Sequence, residues 1–233
     1  MRRWQQAIAS RRARAWAPPL FIALLLLSFG LIAQEVVEGE PIAFDRWVML
    51  AFRHASDPSL PLGPPWLPEA VRDITALGST VVLGIMLLIV TGYLFAAGKR
   101  HTGWFVLATV LSGAALNSLL KLAFARPRPD LVTPLTQVLT LSFPSGHAAL
   151  SAICYLTLGT LLAQTQASRT IRIYFIVTAM LLTLLVGISR IYLGVHFPTD
   201  VLAGWCIGIA WALICGAIMS RFQRSGTVEP AED

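Results

Sequence analysis

Charged residues are scarce in this chain of 233 residues: they make up 13% of it, whereas hydrophobic residues make up 56%. A soluble globular domain typically carries about 25% charged residues. The scarcity excludes an ordinary soluble domain and predicts an integral membrane protein. The net charge of +6 does not indicate nucleic-acid binding, because the cations crowd the N-terminal arm and the ends of apolar runs. Cations in such places are topology signals and contacts for anionic lipids.

Cysteine is scarce too. The chain has three cysteines, Cys154, Cys206 and Cys215, and each lies inside an apolar run. With an odd number at these spacings, no disulfide framework and no zinc pattern is visible. We interpret all three as small packing residues, so they do not indicate the redox compartment. The sequence also contains no cluster of carboxylates that would suit magnesium.

Charge-free stretches predict six membrane-spanning helices, since a helix of about 17–25 apolar residues crosses a bilayer. They are Ala15–Gln34, Thr75–Gly98, Thr102–Leu120, Ala148–Ser168, Ile173–Ser189 and Val201–Ser220. The predicted fold class is therefore all-α, an integral membrane bundle of six transmembrane helices over residues 15–220. A basic arm at 1–14 precedes the bundle and a tail at 221–233 follows it. The first stretch resembles a signal peptide in composition, but no small-x-small cleavage site follows it, which favours an uncleaved anchor.

Basic residues predict the orientation. The arm carries five arginines and no acidic residue, so the positive-inside rule places it in the cytoplasm. With six spans, the basic loops at 99–101 and 169–172 and the tail then lie on the same side. The polar loop at 35–73, which contains six prolines, lies outside. Within that loop, Phe44–Arg53 has the pattern of a short helix on the membrane surface, and a loop packed on the span ends is the alternative.

Three short polar segments stand at ends of these spans, and with six spans all three map to the outer face. They contain Lys121 with Arg128-Pro129, then Pro144-Ser145-Gly146-His147, then Ser189-Arg190 with His196 and Asp200. An ionisable group at the centre of a membrane helix costs about 2.5–3.5 kcal/mol and so marks function by default. Cations gathered around two histidines indicate a bound phosphoryl group, which makes a membrane phosphatase the leading hypothesis.

The first two segments have the local pattern of an anion site. The Arg-Pro-Arg-Pro run at 126–129 ends a helix and holds two guanidiniums in a stiff segment, which suits a doubly charged oxyanion; a snorkelling helix end is the alternative. Ser145 is a good N-cap, and the free N–H groups of the turn that follows attract anions. Gly146 allows close approach of a ligand, with His147 beside it. A capping turn with an incidental histidine is the alternative here.

The third segment is more specific. His196 and Asp200 are four residues apart, and Pro198 is expected in the first turn of the last helix. This spacing lets the Asp200 carboxylate accept a hydrogen bond from one imidazole nitrogen, which leaves the other as an oriented lone pair. Arg190 lies six residues before His196. A purely structural His–Asp cap is the alternative.

Together the segments resemble the signature of the type 2 phosphatidic acid phosphatase family, which is Lys-x6-Arg-Pro, Pro-Ser-Gly-His and Ser-Arg-x5-His-x3-Asp. Every fixed position and internal spacing of that signature is present between Lys121 and Asp200. The additional Arg126 lies outside the signature, and its role is open. The resemblance implies that no metal and no other cofactor is needed.

The resemblance also implies a role for each motif residue. His196 would be the nucleophile that takes the phosphoryl group, Asp200 would orient it, and His147 would protonate the leaving oxygen. The phosphate oxygens would be bound by Lys121, Arg128, Arg190, Ser145 and the N–H of Gly146.

The function that the resemblance implies is a lipid phosphate or pyrophosphate phosphatase at the outer face of the bacterial inner membrane, with both termini cytoplasmic. Its partners would be the lipid phosphate and the surrounding lipids, and no nucleic acid. Phosphatidylglycerol phosphate, phosphatidate and undecaprenyl pyrophosphate all fit as substrates. Alternatives are a phosphotransferase to a lipid or sugar hydroxyl, a transporter or lipid-binding protein with a relic site, and a vanadate-dependent haloperoxidase, whose known examples are soluble. The oligomeric state is not indicated.

Overall fold

The structure is a computed structural model that describes residues 2–39, 42–138 and 140–225, with side chains from residue 16 onward. Within these ranges the chain forms eight helices and one antiparallel hairpin. They are α1 (Arg2–Glu38), α2 (Ala43–Ala51), β1 (Arg53–His54), β2 (Asp57–Pro61), α3 (Leu67–Ala76), α4 (Thr80–Ala96), α5 (Arg100–Phe124), α6 (Gly146–Gln164), α7 (Arg169–Tyr192) and α8 (Pro198–Arg224).

Five helices are long and apolar enough to cross a membrane: α1 from Trp16 onward, α5, α6, α7 and α8. The predicted second span, Thr75–Gly98, is divided, because α3 and α4 meet at a 42° bend. The break ends at Ser79, whose hydroxyl accepts the N–H of Val82 at 3.2 Å and caps α4. The predicted helical membrane bundle is confirmed, and the count of six holds when the bent pair is taken as one span.

The two ends of the chain differ from simple tails. The basic arm continues directly into the first span, since α1 begins at Arg2. The predicted tail overlaps the last turn of α8, which ends at Arg224, and residues 226–233 lie outside the described residues. All three cysteines are free thiols, as the sequence predicts.

The loop at 35–73, predicted to lie outside, contains more regular structure than its sequence predicts. The predicted short helix Phe44–Arg53 is largely α2 (Ala43–Ala51), although Arg53 lies in β1. Asp45 and Met49 are buried against the bundle, and Trp47 is 70% exposed on the opposite face. The hairpin and α3 are not predicted from the sequence, because the prolines of this loop interrupt the periodic pattern of apolar residues that would indicate a strand or a helix. Pro68 in fact lies in the first turn of α3, where a missing N–H costs nothing.

The bundle is built around α6, which packs along α7 and α8. Glycines on α8 let the backbones approach closely. A Cβ on Gly204 would lie 2.7 Å from the carbonyl oxygen of Ser145, and one on Gly208 would lie 2.6 Å from that of Ala149. Small residues are how membrane helices gain packing contacts where lipid removes the hydrophobic driving force. This packing fixes the start of α6 against the start of α8, the two places where the histidine motifs stand.

Candidate active site

The three polar segments meet at one end of the bundle, so the structure brings all eight predicted site residues to the same end. Lys121 lies in the last turn of α5, the motif 144–147 begins α6, and Arg190 lies in the last turn of α7. The N–H of Ser145 donates to the carbonyl oxygen of Asp200 at 2.9 Å. This bond joins the second segment directly to the third.

The His–Asp pair has the geometry that its spacing predicts. His196 Nδ1 lies 3.3 Å from Asp200 Oδ2, and the two residues are 1% and 0% exposed. Pro198 is the first residue of α8, as predicted. Asp200 Oδ2 also accepts the N–H of Phe197 at 2.9 Å, so one carboxylate both caps the helix and orients the imidazole. The Nε2 atom is left on the opposite side of the ring.

Arg128 lies beside this second nitrogen. Its Nη1 is 3.4 Å from His196 Nε2 and also donates to the carbonyl oxygen of Val195. Its Nε donates to the carbonyl oxygen of Thr140 at 2.6 Å. An anion placed at Nε2 would therefore contact a guanidinium that the loop already holds in place.

His147 faces the same group of cations. The ionisable groups that act on it electrostatically are Arg190, His196, Arg128 and Lys121. Lys121 Nζ is held nearby by the carbonyl oxygens of Leu141 and Ser142. A Cβ on Gly146 would lie 3.2 Å from Asn117 Nδ2 and 3.6 Å from Lys121 Cε. A Cβ at this position would therefore crowd the Asn117 side chain but not Lys121.

Two buried donors of the motif have no hydrogen-bond partner among the described residues: Arg190 Nε and Ser145 Oγ. Arg190 is 2% exposed, and its Nη1 donates to Thr75 Oγ1 at 3.1 Å. Ser145 is the predicted N-cap of α6, but its side chain makes no capping bond. An unsatisfied buried polar group costs about 1–3 kcal/mol, so two of them at one site indicate a ligand with acceptor atoms.

The protonation of His196 follows from its burial. Burial lowers the pKa of His196 to about 4, although Asp200 opposes this shift. At neutral pH the imidazole is therefore uncharged, and a proton on Nδ1 leaves a lone pair on Nε2. Burial also lowers the pKa of Arg128, but a guanidinium remains charged at neutral pH.

Motif analysis missed two side chains that contact Asp200. Ser142 Oγ donates to Asp200 Oδ2 and lies 3.4 Å from His196 Nδ1. Arg126 Nη1 donates to Asp200 Oδ1 at 2.6 Å, so this guanidinium, whose role the sequence leaves open, pairs with a buried carboxylate. Arg126 carried a signal, because a cation on the predicted outer face is unusual. Ser142 carried none, since it is one hydroxyl in an irregular loop.

A cavity of about 370 Å³ opens beside Arg128. It is lined by Arg128, Pro129, Pro134, Thr136, Gln137, Val138, Gly194 and Val195. Across residues 2–39, 42–138 and 140–225, no three His, Cys, Asp or Glu side chains are grouped so that they could hold a metal ion.

A protein-family model of the PAP2 superfamily matches residues 102–224 of the chain. A phosphatidylglycerophosphatase B of Bacillus subtilis is 37% identical over 162 residues, which are 69% of this chain and 79% of that protein. This chain belongs to the PAP2 superfamily. The family predicted from the three motifs is confirmed.

Solved structures of PAP2 superfamily proteins share the fold. A transmembrane PAP2-type phosphatidylglycerolphosphate phosphatase from Bacillus subtilis superposes with a TM-score of 0.75 at 28% identity, over 90% of this chain and 98% of that one. Aquifex aeolicus LpxE superposes with a TM-score of 0.57 at 28% identity, over 78% of this chain and 98% of that one. The predictions of a multi-pass membrane protein and of a hydrolase of the phosphatase type are confirmed.

Proposed function

We propose that this PAP2 hydrolase removes phosphate from lipid phosphates or pyrophosphates, without a metal, through a phosphohistidine on His196. The observation that carries the proposal is the pair of unpartnered donors, Arg190 Nε and Ser145 Oγ, at the end of the bundle where His196 presents Nε2. Phosphate oxygens are acceptors that would satisfy both donors. The Bacillus relatives are named as phosphatases of phosphatidylglycerol phosphate, which supports a lipid phosphate as the substrate.

In the first step, His196 Nε2 attacks the phosphorus atom, and the bond from phosphorus to the lipid oxygen breaks. His147 donates a proton to that leaving oxygen, which departs as an alcohol or, from a pyrophosphate, as a lipid monophosphate. Asp200 accepts the Nδ1–H hydrogen bond at 3.3 Å and so stabilises the positive charge that the imidazole acquires. The products of this step are a phosphohistidine and the released lipid alcohol or lipid monophosphate.

In the second step, water attacks the phosphorus atom and the N–P bond breaks. His147, now without its proton, accepts one from the water. Inorganic phosphate leaves, and His196 returns to the neutral form. A lipid or sugar hydroxyl in place of the water would turn the same step into a phosphotransfer.

Charge stabilisation supplies most of the catalysis in phosphoryl transfer, because the negative charge of the transition state lies on the equatorial oxygens. Arg128 lies at His196 Nε2, and Arg190 acts electrostatically on both histidines. Lys121 and the start of α6 add a third cation and free N–H groups. We assign these groups to the phosphate oxygens.

We also propose that the site faces the periplasm and that both termini are cytoplasmic, in a bacterial inner membrane. The basic loops at 99–101 and 169–172 support this orientation through the positive-inside rule. With the native cysteines replaced, a membrane-impermeant maleimide should label Thr133→Cys, in the exposed loop beside the site, but not Thr170→Cys at the other end. The reverse labelling in intact cells would overturn the orientation.

The experiment that tests the reaction is release of inorganic phosphate by the detergent-solubilised protein with EDTA present. Phosphatidylglycerol phosphate, phosphatidate and undecaprenyl pyrophosphate are offered in parallel, and the control is His196→Ala. We expect release that survives EDTA and is lost in the variant. Release that persists in His196→Ala would overturn the nucleophile, and release that EDTA abolishes would overturn the metal-independent mechanism. No release from any lipid would contradict the hydrolase and move the question to other acceptors.

A further inference from the structure

Arg126 joins two buried carboxylates. Its Nη2 pairs with Asp45 Oδ2 at 3.0 Å and its Nη1 with Asp200 Oδ1 at 2.6 Å. The side chain of Arg126 is 12% exposed, and those of Asp45 and Asp200 are 2% and 0% exposed. Its Cζ also lies 4.1 Å from the centre of the Phe197 ring. Both Nη atoms are thus committed to carboxylates, unlike the Arg190 Nε that awaits a partner.

Asp45 in turn anchors the start of α8. Its Oδ1 accepts the N–H of Thr199 at 2.8 Å, and its Oδ2 accepts the Thr199 hydroxyl at 2.6 Å. Thr199 is the second residue of α8, where the N–H has no acceptor within the helix, and a carboxylate at a helix start is electrostatically favoured. A residue of the outer helix α2 therefore holds the turn that presents Asp200.

We propose that Arg126 and Asp45 are positioning residues of the reaction: they fix the Asp200 carboxylate and set the charge that His196 experiences. This inference rests on the proposed function. Arg126 withdraws negative charge from Asp200, which disfavours protonation of His196 and keeps its attacking nitrogen available. Asp45 pairs with the other Nη atom of Arg126 and so holds the guanidinium in place beside Asp200.

Several charged or titratable groups surround His196. Asp200 on α8, Arg128 in the segment after α5, Arg190 on α7 and His147 on α6 interact with it electrostatically. Lys121 on α5 acts on His147, and Arg126 and Asp45 reach His196 only through Asp200. Of these, Arg128, Arg190 and Lys121 are assigned to the substrate phosphate. Arg126 differs from them because it can be neutralised without removing a proposed phosphate ligand.

The arrangement of charges predicts the direction in which the pH dependence of activity changes in variants. Arg126→Gln leaves Asp200 and Asp45 without their shared cation, so the protonated form of His196 becomes more stable. The acid limb of the pH profile, where kcat/KM falls as the pH is lowered, should then move up by about one pH unit. In addition, kcat at neutral pH should fall about tenfold, because Asp200 is no longer fixed. KM should stay within about twofold. Adding Asp45→Asn removes one of the two uncompensated carboxylates and should bring the acid limb back down, to between the wild type and Arg126→Gln.

The test measures hydrolysis of phosphatidylglycerol phosphate in detergent against pH, for the wild type, Arg126→Gln and the Asp45→Asn/Arg126→Gln double variant. Arg46→Gln, which removes the charge of an exposed arginine next to Asp45, is the matched control. Its kcat and its pH profile should match those of the wild type. His196→Ala is assayed alongside: activity in that variant would contradict the proposed function itself, whereas an inactive His196→Ala leaves the inference on Arg126 to be judged separately.

An acid limb and a kcat equal to those of the wild type in Arg126→Gln would overturn the inference. A raised KM at unchanged kcat would also overturn it, because Arg126 would then bind substrate. If Arg126→Gln alone does not fold, the double variant, which buries one unpaired carboxylate fewer, carries the test. Wild-type kcat and acid limb in the double variant would overturn the inference equally.

Discussion

Cations stand at both ends of the helix bundle, and their surroundings differ. At the end that carries the site, Arg190 is 2% exposed and the Arg126 side chain is 12% exposed. At the opposite end, Arg100, Arg172 and Arg224 are exposed. The same residue type at the same place, the end of an apolar helix, is a buried member of a polar network in one case and a surface cation in the other.

The connections between helices explain the difference. At the site end, the connection between α5 and α6 folds over the helix ends, and its carbonyl oxygens accept hydrogen bonds from Arg128 and Lys121. Asp45 and Asp200 supply the negative charge. At the other end, the connections before α5 and before α7 are short, and the helices there enclose a cavity of about 650 Å³ with a mostly apolar lining. A buried cation therefore needs chain that covers it and acceptors that pair with it.

The largest effect should come from removing a buried cation at the site end of the bundle. We expect Arg190→Ala to lower kcat/KM about 10³-fold, because a fixed guanidinium stabilises transition-state charge in a site that excludes water. Arg190→Lys should recover little of this, since an ammonium lacks the planar fork. Phosphate release from phosphatidylglycerol phosphate measures both variants. Activity within tenfold of the wild type in Arg190→Ala would remove Arg190 from the proposed site.

The pH dependence should be the next largest effect. In the proposed mechanism the neutral form of His196 attacks, and burial lowers its pKa to about 4. Activity should therefore persist to lower pH than an ordinary histidine with a pKa of about 6.5 permits. Below the pKa the protonated fraction grows, and kcat/KM should fall about tenfold per pH unit. The unfolded chain binds this proton below about pH 6.5, so stability also falls as the pH drops from there towards 4.

The pH profile of kcat/KM checks this prediction, with thermal unfolding in detergent at each pH to separate inactivation from titration. An acid limb centred near pH 6.5 in a folded enzyme would contradict a buried neutral nucleophile. It would also show that solvent reaches His196 far more freely than its 1% exposure indicates.

A smaller effect should follow from crowding the start of α6. In Gly146→Ala, the new Cβ would lie 3.2 Å from Asn117 Nδ2, so the Asn117 side chain must shift by a few tenths of an ångström, whereas the distance of 3.6 Å to Lys121 Cε is an ordinary contact. We expect an activity loss of about tenfold, because the shifted amide and the added methyl group crowd the proposed phosphate position at the start of α6. Gly84→Ala is the control, since nothing lies within 4 Å of its Cβ. Equal activity of both variants would show that the start of α6 tolerates the methyl group.

The sequence predicted which motif side chains lie together, and it predicted the long helices but not the structure of the loops between them. Fixed spacings explain most of this: His196 and Asp200 are four positions apart at the start of α8, which brings their side chains together, and the structure has Nδ1 and Oδ2 3.3 Å apart. Long apolar runs likewise predicted α1, α5, α6, α7 and α8, because a helix in lipid must satisfy its own backbone.

What the sequence left out depends on contacts between distant segments. Asp45 looked like one acidic residue in a polar loop, yet it meets Arg126 and Thr199 in the buried network. The bend at 77–79 was hidden because the apolar run continues through it. Hydropathy measures composition along the chain, and neither a tertiary ion pair nor a change of helix direction alters that composition.

The smallest effect should come from the exposed end, where Arg172→Gln is the counterpart of Arg190→Ala. Arg172 is exposed, and its Nε donates to the carbonyl oxygen of Gln166, so the expected change in stability is within about 0.5 kcal/mol. Activity should stay within about twofold of the wild type. Phosphate release and thermal unfolding in detergent, measured beside Arg190→Ala, check this. A loss of activity in Arg172→Gln as large as that in Arg190→Ala would mean that the exposed end is coupled to the site, and burial would then no longer separate the functional cations from those that only mark the ends of spans.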